Sequence, residues 1–232
     1  MKKQVLIMLS LLLSSTAFSQ INGDYNYSIA VRGYNLMQMP RILNQKEVGK
    51  LTETSFHSGM LKFNDNQISY RLSGSYLKKN VQIVNNCLNC EEANGKMTDY
   101  SFKLGFEKNF NFSRIQPYFG FDIGYRYNKF EGTMVSKNIQ AMAVETASLA
   151  ATGVDASKSG FIASPVMGLK INPIPQVTLF AEASLDFFVF YERQETVTLD
   201  INNTRTFNKY NKSEFLLNPV SIGIQVNIGS NR

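Results

Sequence analysis

Residues 118–130 read YFGFDIGYRYNKF. From Phe119 onward every second residue is apolar or aromatic: Phe119, Phe121, Ile123, Tyr125 and Tyr127. Gly120, Asp122, Gly124, Arg126 and Asn128 alternate with them. This period of two marks a β-strand with one greasy face and one small or charged face. The fold depends on which face meets a protein core and which meets something else.

Working outward, the chain divides into eight alternating runs near 25–36, 54–63, 68–79, 97–110, 115–130, 159–172, 176–193 and 214–228. Short connections follow the second, fourth and sixth runs: NDNQ (64–67), NFSR (111–114) and PIP (173–175). Their Asn, Asp, Ser and Pro residues are turn formers. Long connections, 37–53, 80–96, 131–158 and 194–213, follow the first, third, fifth and seventh. All short turns then fall at one end and all long loops at the other, the arrangement of outer-membrane barrels. The pattern predicts an all-β fold, an eight-stranded antiparallel up-and-down transmembrane β-barrel with short periplasmic turns and long external loops. The Ala-rich middle of 131–158 fits either a short helix or an external loop.

Neighbouring runs agree when folded on each other. About NFSR, Phe106 faces Phe119, Leu104 faces Phe121, Phe102 faces Ile123 and Tyr100 faces Tyr125, with Lys103 opposite Asp122 and Gly105 opposite Gly120. About PIP, Ile171 meets Val177, Leu169 meets Leu179, Met167 meets Ala181 and Phe161 meets Phe187. The first hairpin, pairing Phe63 with Ile68 and Leu61 with Tyr70, fits less well. A slip of one residue would exchange the faces and destroy these matches.

The polar face carries Arg71, Lys103, Glu107, Asp122, Arg126, Lys170, Glu182 and Asp186. A soluble, lipocalin-like barrel would turn that face to water and enclose an apolar ligand. Three features favour lipid outside instead. The loops alternate in length, and Tyr100, Tyr125, Tyr127 and Tyr191 sit toward the ends of the apolar face, as interfacial girdles do. Small residues such as Gly105, Gly120, Gly124, Ser164 and Ser184 share the polar face, as a narrow interior requires. Residues 117–129, extended and tilted, span roughly 30 Å, about a bilayer core. The candidate site is a lumen charge network of Arg71, Lys103, Glu107, Asp122, Arg126, Glu182 and Asp186, with Lys103 paired to Asp122. It reads as a structural plug or, more sharply, as a narrow gated ion path, since buried charges persist only when paired.

The N-terminus, MKKQVLIMLSLLLSSTAFSQ, has basic Lys2 and Lys3, an apolar run, and small Ala17 and Ser19 before a cut after residue 19. That is the pattern of a secretory signal peptide, leaving 20–232 as one domain. The 232 residues carry net charge +6; removing Lys2 and Lys3 leaves 22 basic against 18 acidic residues, or +4. The basic residues are scattered without a block, so nucleic acid is not an expected partner. Cys87 and Cys90 are the two cysteines, suited to a local loop disulfide or to free thiols. The single histidine, His57, precedes Ser58, and adjacent strand residues point to opposite faces. No catalytic group, cofactor or metal site emerges from the sequence.

The FSQ ending of the leader, the eight runs, the aromatic–glycine repeats and the long loops resemble small outer-membrane β-barrel proteins of Gram-negative bacteria. The FSQ ending and the Asn- and Lys-rich loops are most similar to the porin-family barrels of Bacteroidetes. The resemblance covers 20–232. It implies an outer-membrane location, outer-membrane lipid as surroundings, the barrel-assembly machinery as a partner during biogenesis, and a monomer. Family members usually end on an aromatic residue, whereas this chain ends VNIGSNR. The expected role is structural or surface-interacting, with an unknown surface or periplasmic partner. A soluble periplasmic carrier and a lipid A modifying barrel enzyme are the alternatives.

Overall fold

A computed structural model of the chain describes residues 25–41, 51–55, 57–65, 67–84, 91–136, 151–198 and 204–230. The leader, Cys87, Cys90 and the Ala-rich part of 137–150 lie outside the described residues. The strands are β1 (Tyr25–Gln38), β2 (Leu51–Thr54), β3 (Ser58–Asp65), β4 (Ile68–Val84), β5 (Glu91–Asn109), β6 (Ile115–Ser136), β7 (Thr152–Ile174), β8 (Val177–Thr198) and β9 (Arg205–Ser230). Each pairs antiparallel with its neighbour from β3 to β9, and β1 pairs with both β3 and β9. The ring therefore closes. The short β2 pairs with Asn35–Gln38 of β1, above β3, so the two share one position and the ring has eight. Closure leaves no continuous free edge around the lower barrel, where an open sheet would present unpaired N–H and C=O groups.

All three hairpins differ from the sequence-based pairing by two residues. Leu104 faces Ile123 and Phe102 faces Tyr125. Leu169 faces Ala181, and Phe63 faces Tyr70. The turns are displaced: Phe110 N–H donates to Pro117 O at 3.0 Å, and Ile174 pairs with Val177. Because two is the side-chain period, every residue keeps its face while its partner changes. Interior crowding explains the choice. In the observed register Lys103 faces Gly124, Asp122 faces Gly105 and Glu107 faces Gly120. A Cβ on Gly105 would lie 2.1 Å from Asp122 Oδ1 and 2.3 Å from Phe121 O. The alternative register would set Gly105 against Gly120 and Lys103 against Asp122, so that neither charged side chain would have the space beside a glycine.

The strands also run beyond the expected ends at the long-loop end. Parts of the predicted loops 80–96, 131–158 and 194–213 are strand: 80–84, 91–96, 131–136, 152–158, 194–198 and 205–213. In this extension the patterning inverts. Along β6, Phe119, Phe121, Ile123 and Tyr125 are exposed outside, and Asp122, Arg126 and Asn128 are buried inside. Past Tyr127 the apolar residue lies inside, with Phe130 fully buried, and Lys129 and Glu131 lie outside. Leu77, Met97, Val154 and Ala156 turn inward with Phe130 and Met39 to form an apolar core. Ile162, Phe188, Phe190 and Leu216 form a second cluster. The outward partners on those stretches are polar, among them Lys78, Asn80, Lys96 and Arg193. One ring thus has an apolar exterior over a charged interior below, and a polar exterior over an apolar interior above.

Candidate functional site

Every strand but β2 contributes polar side chains to the lower interior by the same alternation that turns its aromatics outward. Glu107 of β5 is 0 % exposed. It accepts hydrogen bonds from Lys62 Nζ at 2.9 Å, from Arg71 Nη1 at 3.2 Å and from Lys170 Nζ. Lys170 also donates to Asn109 Oδ1 at 2.9 Å. Arg71 reaches across the barrel to Asp122 Oδ2 at 2.9 Å and Glu182 Oε2 at 3.2 Å. Glu182 takes a second arginine, Arg32, through Nε at 2.8 Å, and the Tyr118 hydroxyl at 2.9 Å. Four cations and three carboxylates are joined through shared partners in this lower cluster.

An upper cluster lies beyond it. Lys103 Nζ donates to Asp186 Oδ1 and Ser164 Oγ, both at 2.9 Å. Arg126 Nε donates to Asp99 Oδ2 at 2.9 Å, and Asn128 reaches the same oxygen at 3.0 Å. The Arg126 guanidinium sits 6.0 Å from the Phe188 ring, where charge gives way to the apolar core. Nearer the outer rim, Lys158 donates to Glu214 Oε1 at 2.7 Å and lies 4.3 Å from the Phe190 ring centre. A cavity of about 70 Å³ lies between the clusters, lined by Arg32, Arg71, Asp99, Lys103, Asp122 and Asp186 among others. Arg71 Nε and Asp122 Oδ1 have no hydrogen-bond partner among the described protein groups.

All seven charges expected in the lumen lie inside the ring, joined by Lys170. Their partners differ in one respect. Lys103 pairs with Asp186 and not with Asp122, which pairs with Arg71. The two-residue register shift places Lys103 beside Gly124, and its ammonium then reaches the β8 carboxylate. Arg32, Lys62, Asp99, Tyr118 and Lys158 belong to the same interior and were missed. Lys62 was legible: it shares the even-numbered face of Ser58 and Met60. Arg32 precedes an irregularity in β1 between Arg32 and Tyr34, which breaks the alternation that would have marked it.

His57 is exposed, while Ser58 points inward and accepts a hydrogen bond from Arg32 Nη1 at 2.7 Å. At the outer rim Lys129 donates to Glu131 and lies 3.2 Å from Asp155 Oδ2. The hydrogen bond from Lys129 holds the Glu131 carboxyl below its ordinary range.

No known protein family and no curated protein matches the chain. Among solved structures, it is similar to a major outer membrane protein from Thermus thermophilus. The identity is 11%, over 87% of this chain and 99% of that one, with a TM-score of 0.49. It is also similar to Ail, the attachment invasion locus protein of Yersinia pestis, at 12% identity, over 88% and 99% of the two chains, with a TM-score of 0.41. The ring described above rests on its own hydrogen-bonded ladders.

Proposed function

We propose that the chain is an integral outer-membrane barrel with a structural or surface-interaction role, its lumen closed by paired charges and an apolar cap. The observation that carries this reading is the inversion of patterning along continuous strands. Water on all sides would favour polar residues outside at every level. Here Phe102, Leu104, Phe121, Ile123, Phe161 and Ile224 form an apolar exterior, with Ile123 59% and Phe161 77% exposed. The stretch from Phe119 to Tyr127 is about 26 Å long; tilted by about 40°, it rises roughly 20 Å, close to the height of a lipid-facing band. Above the tyrosines the same strands follow the rule for water. A solvent boundary crosses the molecule at that level.

The short turns would face the periplasm and the strand extensions the outside. Lumen closure follows from side-chain packing: an eight-stranded ring leaves little more than side-chain volume. The Glu107 cluster fills one level and Phe130 with its neighbours another.

A soluble carrier of an apolar ligand would need a cavity free of charge, and in the cavity between the charge clusters Leu36, Met37, Val166 and Val220 share the lining with Arg32, Arg71, Lys103, Asp122, Glu182 and Asp186. The discriminating experiment is cell fractionation followed by gel mobility with and without boiling. The membrane reading expects recovery in the outer-membrane fraction and faster migration unboiled. Recovery in the soluble periplasm without a heat shift would refute it.

A further inference from the structure

Lys62, Lys158 and Lys170 are the buried lysines among the described residues. Lys62 and Lys158 meet carboxylates and aromatic rings. Lys170 meets a carboxamide as well: its Nζ donates to Asn109 Oδ1 at 2.9 Å while also donating to Glu107. Lysine, amide and carboxylate come from strands that are not neighbours. Glu107 and Asn109 stand two apart on β5, Lys170 is on β7, and β6 lies between them. Tyr118 of β6 pairs with Asn109 on one side and with Gly168 on the other. A Cβ on Gly168 would lie 2.4 Å from the Tyr118 ring, so the glycine gives the ring its place. Lys170 Nζ lies 4.9 Å from the centre of that ring.

Charge is out of balance at the same spot. Arg32, Lys62, Arg71 and Lys170 share only Glu107, Asp122 and Glu182. Lys62 and Lys170 both donate to Glu107 Oε1. A buried cation in excess is costly.

We propose that Lys170 and Asn109 join in an isopeptide bond, with Glu107 relaying the proton. With a C=O bond of about 1.23 Å, Nζ lies roughly 3.7 Å from Asn109 Cγ, a small side-chain rotation from the attack distance of about 3–3.5 Å. Nζ attacks as the amine, bonds to Cγ and passes a proton to the Glu107 carboxylate. Glu107 delivers that proton to Asn109 Nδ2, and the Cγ–Nδ2 bond breaks. Written overall, the Lys170 ammonium and the Asn109 carboxamide give a secondary amide and an ammonium ion, with no oxidant or other reactant consumed. The departing ammonium carries the excess charge away. Arg32, Lys62 and Arg71 then face Glu107, Asp122 and Glu182, three against three. Burial keeps water from competing for Cγ. The bond ties β5 to β7 across β6 at the short-turn end, closing a loop that persists in the unfolded chain. The inference rests on the interior geometry and holds whether lipid or water surrounds the ring.

The test is mass spectrometry of the chain purified folded from cells, beside the same chain kept unfolded in urea, both digested with trypsin. The folded sample should yield one branched peptide joining the segments that hold Asn109 and Lys170, lighter than their sum by one ammonia and uncut after Lys170. The urea sample should yield two separate peptides. Asn109→Ala and Lys170→Arg should lack the branch and, once boiled, migrate more slowly than the parent, whose denatured chain remains looped. Glu107→Gln should form the branch about a hundredfold more slowly. Separate peptides from the folded parent would overturn the inference, and that digest decides alone where a variant does not fold. A branch that persists in Asn109→Ala, or that forms at the parent rate in Glu107→Gln, would also overturn it.

Discussion

Replacing Glu107 by Gln tests the interior network where it is most concentrated. The carboxylate is fully buried and is the sole ion-pair partner of Lys62 among the described residues. It also takes Lys170 and one nitrogen of Arg71. Glutamine preserves the volume and one acceptor oxygen but removes the charge. Arg71 keeps Asp122 and Glu182, so its loss is partial. Lys62 is left as an uncompensated buried cation, packed 5.8 Å from the Tyr118 ring centre and 5.5 Å from that of Phe180. Removing one partner of a buried pair destabilises by about 3–5 kcal/mol. The retained acceptor places Glu107→Gln near the lower end of that range. Adding Lys62→Met removes the orphan cation, and the double variant should recover at least half of the loss. The assay is urea unfolding of the barrel folded in lipid vesicles, followed by tyrosine fluorescence and gel mobility, with the coupling taken from the double-mutant cycle. A loss below about 1 kcal/mol for Glu107→Gln, or additive effects of the two substitutions, would refute the reasoning that these charges are mutually dependent.

Ile123→Lys puts a charge on the outward face at the middle of the apolar band. It should destabilise the folded barrel in vesicles by about 2–4 kcal/mol, whereas the same change on a water-exposed strand would be nearly neutral. Gly105→Val drives a side chain into Asp122 and the β6 backbone and should abolish the heat-shifted folded form; Gly59→Ala, with nothing within 4 Å, should leave it intact. Phe130→Ala leaves a cavity in the upper apolar core and should cost about 3–5 kcal/mol locally, seen as faster amide exchange in the strand extensions with bilayer insertion unchanged. The parent barrel in planar bilayers should give no steady unitary conductance.

Much of the barrel is legible without coordinates because alternation is local. A strand's two faces are written in its own residues, so the runs around YFGFDIGYRYNKF identify the strands and sort their side chains into inward and outward sets. Arg71, Glu107, Asp122, Arg126, Glu182 and Asp186 fall on one face on that ground alone, and the loop lengths, the tyrosines and the small residues beside them turn that face inward. The upper strand extensions were harder to read. There the face that carries apolar residues changes at Tyr127, and a window expecting one phase ends the strand at Phe130 and takes Met134 for loop. Burial of Phe130 beside Leu77, Met97 and Val154 from three other strands supplies the missing reason for those residues to remain extended.

The sequence by itself determined the eight lower strand runs, the approximate place of their short turns and the division of each run into two faces, because these follow from a two-residue period and turn chemistry within one segment. Tertiary structure alone decided the register and the ion-pair partners. A shift of two leaves every face unchanged, so patterning cannot detect it; steric space at Gly105, Gly120 and Gly124 selects among the options. Partner choice is equally non-local. Arg71 of β4 meets Glu182 of β8, and Arg32 of β1 meets the same carboxylate, because opposite walls of a narrow closed ring project into one shared volume.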